Sequence, residues 1–310
     1  MTKNSGPSLD RFRLLQTFVR IAGAGSISAA ARDLGLSQPS ASRHLAELES
    51  RLETQLVRRT THSLALTAAG RALLVDARRL LGLWESLEET HRAGATTARG
   101  RLTVVAPVAL GQTQWRTLVA PFLEAHPEVQ LDWRLEDHTI RFAEVGCDCW
   151  IKIGAVPDET LIVKEVGRVE RLVVASPGAP GVDALGDEPS EAGEPPWLVL
   201  EPFESRSIPL TGAGGKERTI RPRPRLRTNN IFALREAALQ GLGLAVLPRW
   251  FIADELADGR LIDCWPRWRA PTLPVHLAWL PGRFQPLRLM RFVEHVRGVL
   301  PRIAGIDPPF

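Results

Sequence analysis

Residues 26–45, Ser-Ile-Ser-Ala-Ala-Ala-Arg-Asp-Leu-Gly-Leu-Ser-Gln-Pro-Ser-Ala-Ser-Arg-His-Leu, constrain the fold of this chain more than any other stretch. They predict two short helices joined by a tight turn. Ala30, Ala31 and Leu34 give the first helix a small-residue face that lets another helix cross closely. Gly35 supplies the turn, because glycine enters left-handed backbone at little cost. Ser37 caps the second helix, and Pro39 sits in its first turn, where no intrahelical N–H bond is needed. Ala41, Leu45, Leu48 and Leu52 follow at spacings of four, three and four and mark a core-facing stripe. Turned away from it stand Pro39, Ser42, Arg43 and Ala46, with Gln38 at the helix tip. A surface that small and polar fits against base edges in a major groove. A helical hairpin in an ordinary core shows the same stripe; turn, cap, close packing and a Gln/Ser/Arg tip together favour DNA.

Charge is distributed in the same sense. Residues 1–100 carry 14 Lys and Arg against 9 Asp and Glu, whereas residues 101–310 carry 25 against 26. The positive excess lies with the helical pair, where phosphate attraction is needed. At 310 residues the chain is long enough for two or more domains. No apolar run approaches the ~20 residues of a membrane span, and the opening Met-Thr-Lys-Asn-Ser-Gly-Pro-Ser lacks a signal-peptide core. A cytoplasmic protein with no membrane partner is expected. Cys147, Cys149 and Cys264 are too few and scattered for a disulfide framework.

Around the helical pair, an opening helix over about 10–23 presents Phe12, Leu15, Phe18, Val19 and Ala22 as its apolar face and ends at Gly23. Val57 to Leu66 predict a hairpin, a wing along which Arg58, Arg59 and His62 lie beside phosphates; for His62 a solvated surface position is the preferred reading. Thr67 caps a long helix reaching about Arg92. Its Leu73, Ala77, Leu80, Trp84 and Leu87, spaced four, three, four and three, form a heptad seam. With no obvious body beneath it, that seam is expected to pair with a second copy. Gly94 to Gly100 reads as a hinge.

From Arg101 the period changes. Strands are expected over 102–106, 129–133, 149–153, 161–166, 172–175, 197–200, 218–227, 244–247 and 275–280, and helices over 112–125, 140–145, 231–240, 249–257 and 284–299. Alternation of this kind predicts a parallel sheet covered by helices. Ser176 to Pro196, dense in Pro, Gly, Asp and Glu, reads as a loop.

These residues resemble the bacterial LysR-type transcriptional regulators. Phe18, Gly25 to Ala31, Leu34, Ser37-Gln38-Pro39-Ser40, Ser42-Arg43, Leu48-Glu49, Leu52, Leu56, Arg59, Leu66-Thr67 and Gly70 carry the resemblance with high specificity over about 10–92. Asp148 to Gly154, Ala175-Ser-Pro177 and Gly241 to Pro248 extend it, less specifically, to residue 300. The resemblance implies an α/β chain with an all-α winged helix-turn-helix head (1–66), a coiled-coil linker helix (67–93), a hinge (94–100) and an effector domain (101–310). The last is similar to type 2 periplasmic binding proteins, with one subdomain over 101–167 and 267–300 and the other over 168–266.

It also implies the partners: double-stranded promoter DNA, a small-molecule effector, of which an organic acid is one candidate class, a homodimer or homotetramer, and RNA polymerase. Gln38, Ser42 and Arg43 are expected at base edges, with Ser26, Ser28, Arg58 and Arg59 on phosphates and Ser37, Pro39 and Ser40 completing the surface. Ligands in such bodies bind outside the carboxyl ends of strands. That places Pro107, Ala109, Gln112, Thr113, Gly154, Phe203, Arg206, Thr228, Asn229 and Asn230 around the effector, Asn230 being as well read as a helix cap. Three positions depart from the family pattern: Ala109 replaces a commonly hydrophilic residue, Val57 a larger aromatic, and neither Glu53 nor Thr54 is the frequent glycine.

Other classes fit less well. Cys147-Asp148-Cys149 lacks the spacing of zinc sites, and no phosphate loop, His-Glu-x-x-His helix or Gly-x-Ser-x-Gly elbow is present. No catalysis, metal or cofactor is therefore expected. A solute-binding or enzymatic α/β protein with an incidental helix-turn-helix is the alternative, and the basic head argues against it.

Overall fold

The structure, a computed structural model, describes residues 10–59, 64–91, 97–189, 195–203, 207–282 and 285–309, with backbone alone at 59, 79, 85, 86, 88–91, 143 and 144. The chain forms two compact units. One comprises Met1–Ala98, Thr139–Cys147 and Gly282–Met290, the other Arg99–His138, Asp148–Pro281 and Arg291–Phe310.

In the first unit, α1 (Arg11–Ala24), α2 (Ile27–Asp33) and α3 (Gln38–Arg51) enclose Leu14, Phe18, Ile21, Ala30, Ala31, Ala41, Leu45 and Leu48. Each of the Leu, Ile and Phe side chains among them contributes about 1.5–3 kcal/mol by leaving water. Asp10, Ser26 and Ser37 cap the three helices by accepting the N–H groups of Phe12, Ala29 and Ser40. Gly25 and Gly35 take left-handed φ of 62° and 63° at the two turns. The opening helix does not stop at Gly23 but runs to Ala24, since Gly25 supplies the left-handed cap. Its buried face is Leu14, Thr17, Phe18 and Ile21; of the expected Phe12, Leu15, Phe18, Val19 and Ala22, Phe18 is fully buried and Leu15, Val19 and Ala22 pack partly against the core. Leu52 caps α3 and is exposed, not core.

The wing, β1 (Val57–Arg59) paired antiparallel with β2 (Leu64–Leu66), is tied down by polar contacts. One Glu49 carboxylate oxygen accepts the N–H groups of Leu56 and Val57 at 2.7 and 3.1 Å. Thr67 donates its hydroxyl to the Gln55 carbonyl at 2.7 Å and accepts the Gly70 N–H at 2.9 Å, capping α4 (Ala68–His91). A side chain on Gly70 would overlap the Leu56 carbonyl oxygen, so the helix start can approach the wing only with glycine there.

The rest of the chain runs β3 (Gly100–Ala106), α5 (Val108–Thr113), α6 (Trp115–Leu118), α7 (Ala120–Ala125), β4 (Val129–Leu135), α8 (Phe142–Val145) and β5 (Cys149–Ile153). It continues with β6 (Ile162–Ala175), β7 (Trp197–Leu200), β8 (Ile208–Gly212), β9 (Glu217–Ile220), β10 (Pro224–Thr228), α9 (Ile231–Leu239) and β11 (Leu244–Pro248). α10 (Ala253–Ala257), β12 (Ile262–Asp263), β13 (Trp268–Trp279), α11 (Leu287–Val299) and β14 (Ile306–Asp307) complete it.

The sheet order is β10-β7-β11-β6-β13-β5-β3-β4. Both ends, β10-β7-β11 and β5-β3-β4, are parallel as expected, but the centre is not. There β6 and β13 pair antiparallel with each other and with β11 and β5, so the sheet is mixed. The expected strands at 161–166 and 172–175 are one strand, β6, and β13 begins at Trp268 rather than 275. The expected strand over 218–227 is two, β9 and β10, and β9 pairs with β8, for which no element was expected. The helix over 112–125 is three pieces, the first starting at Val108: Gln114 leaves helical geometry, and Pro121, lacking an N–H, sits in the first turn of the piece that follows Val119. Cys147 precedes β5, so it does not share a strand face with Cys149.

The turn after α3, where a glycine is absent, is made by Glu53 at φ 49°. A left-handed non-glycine residue costs about 1–2 kcal/mol, and glycine loses about 0.5–1 kcal/mol more backbone entropy. Glu53→Gly is therefore expected to stabilise the head by up to ~1 kcal/mol. Thermal unfolding checks this, and a lowered midpoint would show that the turn is not strained.

Candidate functional site

The first unit presents a polar face. Gln38, Pro39 and Arg43 on α3 and its cap Ser37 are exposed; Ser42, Ser40 and the α2 cap Ser26 are half-buried. Ser26 and Ser37 hold helix starts, and the Ser37 and Ser40 hydroxyls lie 2.8 Å apart, so part of their hydrogen-bonding capacity is used within the protein. Ser28 is exposed on α2 and Arg58 on β1. Arg59 is described by backbone only, and His62 lies outside the described residues.

Beneath this face sits His44, a residue the sequence reading passed over. It is 5% exposed, and its Nδ1 is 2.8 Å from the Thr17 hydroxyl. That hydroxyl donates to the Arg13 carbonyl at 2.8 Å, so His44 Nδ1 carries the proton and donates to it. Burial, then the charges of Arg13 and Arg43, hold the imidazole below its usual pKa and keep it neutral. A neutral tautomer thus pins α3 to α1.

The long helix divides. Ala77 and Leu74 are buried and Leu73 packs partly against the head, so the front of the expected seam rests on its own unit. Leu80 and Trp84, with Leu83, are each more than two-fifths exposed, and Leu87 is half-buried. The Trp84 ring lies 5.1 Å from that of Phe12 on α1. A body does lie beneath part of the helix.

In the second unit the expected effector residues occupy the carboxyl ends of β3, β5, β7 and β10. Gly154 has a φ of 93°, which favours glycine, and a Cβ there would stand 3.7 Å from the Phe203 ring. Glu201 N–H donates to the Thr228 carbonyl at 2.8 Å, and Thr228 Oγ1 accepts the Asn230 N–H. These contacts bring Gly154, Phe203 and Thr228 into one neighbourhood. Asn230 caps α9 by accepting the Ala233 N–H at 3.0 Å. Ala109 is buried, Thr113 donates its hydroxyl to the Ala109 carbonyl, and Gln112 and Asn229 are exposed. Arg206 lies outside the described residues.

Lys152 was not singled out in the sequence. It lies on β5, two residues before Gly154, opposite His276 on β13. Its ammonium is 3.5 Å from the Asp137 carbonyl and 5.5 Å above the Trp150 ring. The Asp137 carboxylate accepts the Val108 N–H at 2.9 Å, which links Lys152 to the segment after Pro107. His276 Nδ1 is 2.7 Å from the Gly154 carbonyl. Desolvation lowers the Lys152 pKa, and the Asp137 charge offsets this only in part. The available signal was a lysine interrupting an otherwise apolar run, Cys149 to Ile153.

The cysteines are thiols, and burial pushes Cys264 up to about 12, far from a reactive thiolate. Among the described residues no cluster of His, Cys, Asp and Glu could hold a metal ion, and no helix is long and apolar enough to cross a membrane.

Comparison with known proteins bears on both units. Residues 12–71 match the family described as bacterial regulatory helix-turn-helix protein, lysR family, and residues 95–301 match the LysR substrate binding domain. The HTH-type transcriptional regulator PtxR of Pseudomonas aeruginosa is 31% identical, covering 93% of this chain and 92% of the relative. Two solved structures share the fold. A full-length OxyR variant from Pseudomonas aeruginosa superposes with a TM-score of 0.72 at 17% identity, covering 96% of this chain and 97% of that one. Full-length LysG from Corynebacterium glutamicum, with its effector arginine bound, gives 0.63 at 22%, covering 97% and 100%.

Because the folded head holds His44 below about 6.5, it binds fewer protons than the unfolded chain. Its contribution is complete above about pH 6.5 and is lost progressively as pH falls towards the depressed folded value. Thermal melts at about pH 7.5 and 5.5 are expected to show a smaller acid-induced drop for His44→Gln than for the natural chain. An equal drop would place the pH sensitivity elsewhere.

Proposed function

Since the chain belongs to the LysR-type transcriptional regulators, with a helix-turn-helix DNA-binding head and an effector-binding domain, we propose that Gln38, Ser42 and Arg43 read base edges in promoter DNA and that an anionic small molecule beside Lys152 sets its activity. Ser28, Arg58 and Arg59 take the phosphates. The division at residues 66, 93 and 100 into head, linker helix, hinge and effector domain belongs to this reading, as does action in the bacterial cytoplasm through RNA polymerase. The curated relatives are transcriptional regulators.

One observation carries the effector class: the half-buried, incompletely compensated Lys152 ammonium. A buried cation without a full counter-charge is costly, and an anion placed on it removes that cost. The neighbouring Gly154, Phe203 and Thr228 offer a glycine-permitted approach, an aromatic face and a hydroxyl. An organic acid fits this set. A thermal-shift screen of small organic acids against the full chain tests it, since a ligand at a hundred times its dissociation constant adds ~2.7 kcal/mol. The shift is expected to vanish in Lys152→Met. A hit that shifts Lys152→Met as much as the natural chain would place the ligand elsewhere.

For the DNA face, Arg43→Ala is expected to cost ~1–3 kcal/mol of operator affinity and to relax sequence preference, as for a guanidinium on a guanine edge. Arg58→Ala is expected to weaken all sequences alike and to lower the salt slope by about one. Titrations over a range of salt separate the two; unchanged binding in both variants would move the DNA face elsewhere.

Two-fold DNA sites call for a two-fold protein. The exposed Leu80, Leu83 and Trp84 support pairing of α4 with a second copy, the effector domains then joining dimers into tetramers. Leu80→Glu puts a charge into that seam and is expected to yield monomers in sedimentation. A surviving dimer would place the interface elsewhere.

A further inference from the structure

One surface of the second unit is left unused by this reading. Between residues 216 and 227 the chain reads Lys-Glu-Arg-Thr-Ile-Arg-Pro-Arg-Pro-Arg-Leu-Arg, six basic residues against the single acid Glu217. The domain as a whole is nearly balanced, with 25 basic and 26 acidic residues over 101–310, so this concentration is local. Arg221, Arg223, Arg225 and Arg227 alternate with half-buried or buried neighbours and are all exposed. They follow the approach to β10 and the strand itself, which is the outermost strand of the sheet. The ladder passes from the Pro224–Trp197 pair to Leu226–Leu198, so Arg225 sits at a bulge, a device that re-aims a side chain at a sheet edge.

The flanking cations are engaged. Lys216 and Arg218 pair with Glu188 at 2.7 and 3.2 Å, and Arg227 lies 3.6 Å from Glu201. Arg221, Arg223 and Arg225 have no ion-pair partner among the described residues.

We propose that the Arg221–Arg223–Arg225 row is a second contact for the phosphate backbone of duplex DNA, used in addition to the helix-turn-helix head. Arg221 and Arg223 precede β10 and Arg225 stands at its bulge; residues two apart span at most about 7 Å, a rise over which one DNA strand presents about two phosphates. Each guanidinium can then form a paired, charge-assisted contact with phosphate oxygens. Edge strands are often blunted with charge and proline, but mixed charges serve that end, whereas an uninterrupted arginine row builds a positive potential. An acidic peptide adding as a strand is the competing occupant. Pro222 and Pro224 remove backbone N–H donors along this edge and deprive such a strand of its hydrogen bonds. Phosphate recognition needs none of them. The row carries no base-reading geometry, so it adds affinity without sequence preference.

The test uses the full chain and a random-sequence duplex of about 60 bp, with binding followed by fluorescence anisotropy from about 50 to 200 mM salt. In Arg221→Gln/Arg223→Gln/Arg225→Gln, the slope of log affinity against log salt is expected to fall by about 2 to 3, near 0.9 per lost phosphate contact. The corresponding triple Lys variant, which keeps the charge, is expected to retain the natural slope. An unchanged slope in the Gln variant, with a reduced slope in Arg58→Ala, would overturn the second contact and leave the head's role standing. An equal loss in the Lys and Gln variants would assign the effect to altered structure and overturn it too. So would poly-glutamate binding that depends on the row while the DNA slope does not.

Discussion

The effector domain depends on the antiparallel pairing of two long strands, β6 and β13. β6 hydrogen-bonds to β11, β12, β13 and β14, and β13 to β5, β6 and β8. Each parallel set of strands is attached to the other only through this pair in the sheet order. The register shifts twice along β13, between Ala270 and Leu273 and between Val275 and His276. At the first shift the buried Arg171 reaches across and donates its Nε–H to the Pro271 carbonyl at 2.8 Å, filling a bond the ladder leaves open. Nearby, Glu170 bridges Arg249 and Arg269, and Arg269 also meets Asp263. Single exposed pairs of this kind contribute little, but a shared carboxylate holds three segments of chain at one place. Through β13, His276 stands beside Lys152, so the strand that joins the two sets also furnishes a wall of the candidate effector site.

In the head the equivalent constraint is polar. Apolar packing of α1, α2 and α3 brings the helices together without fixing where the wing leaves α3. Glu49, by accepting two successive N–H groups, fixes that direction, and Thr67 with Gly70 fixes the start of α4 against it. His44 adds a neutral imidazole between α3 and α1. These groups do not touch DNA in the reading above. They set the rigidity with which Gln38 and Arg43 are presented, and rigidity decides whether a base contact discriminates.

Electrostatics separates the roles of the chain. The head is net positive and exposed at Arg43 and Arg58, suited to a partner that is a dense array of phosphates. Lys152 is a different cation: half-buried and depressed in pKa, it suits one small anion rather than an extended surface. Arg221, Arg223 and Arg225 resemble the head in exposure and differ from the half-buried Lys152 in that respect.

The head was largely legible in the sequence because its determinants are local. Ser37 and Thr67 as caps and Gly35 as a left-handed residue decide helix ends within a few positions of themselves, as do Ser26 and Gly25, whose parts in ending α1 and starting α2 the folded chain revealed. Local pattern could not decide which of two apolar stripes on α1 faces inward. Phe12-Leu15-Phe18-Val19-Ala22 and Leu14-Phe18-Ile21 share Phe18 and are both plausible until α2 and α3 are placed against one of them. The mixed sheet was likewise out of reach. Arg171 and Pro271 meet across 100 positions of sequence, and apolar runs such as Leu172 to Ala175 read alike in parallel and antiparallel pairing. The identity of Lys152 was visible, but its half-buried place beside Trp150, Asp137 and β13 is one that only the folded chain assembles. The sequence by itself determined the local hydrogen bonds and turn geometry that end each helix. The tertiary structure alone decided strand partners, inward faces and the dielectric around a charge, because each depends on atoms far away along the chain.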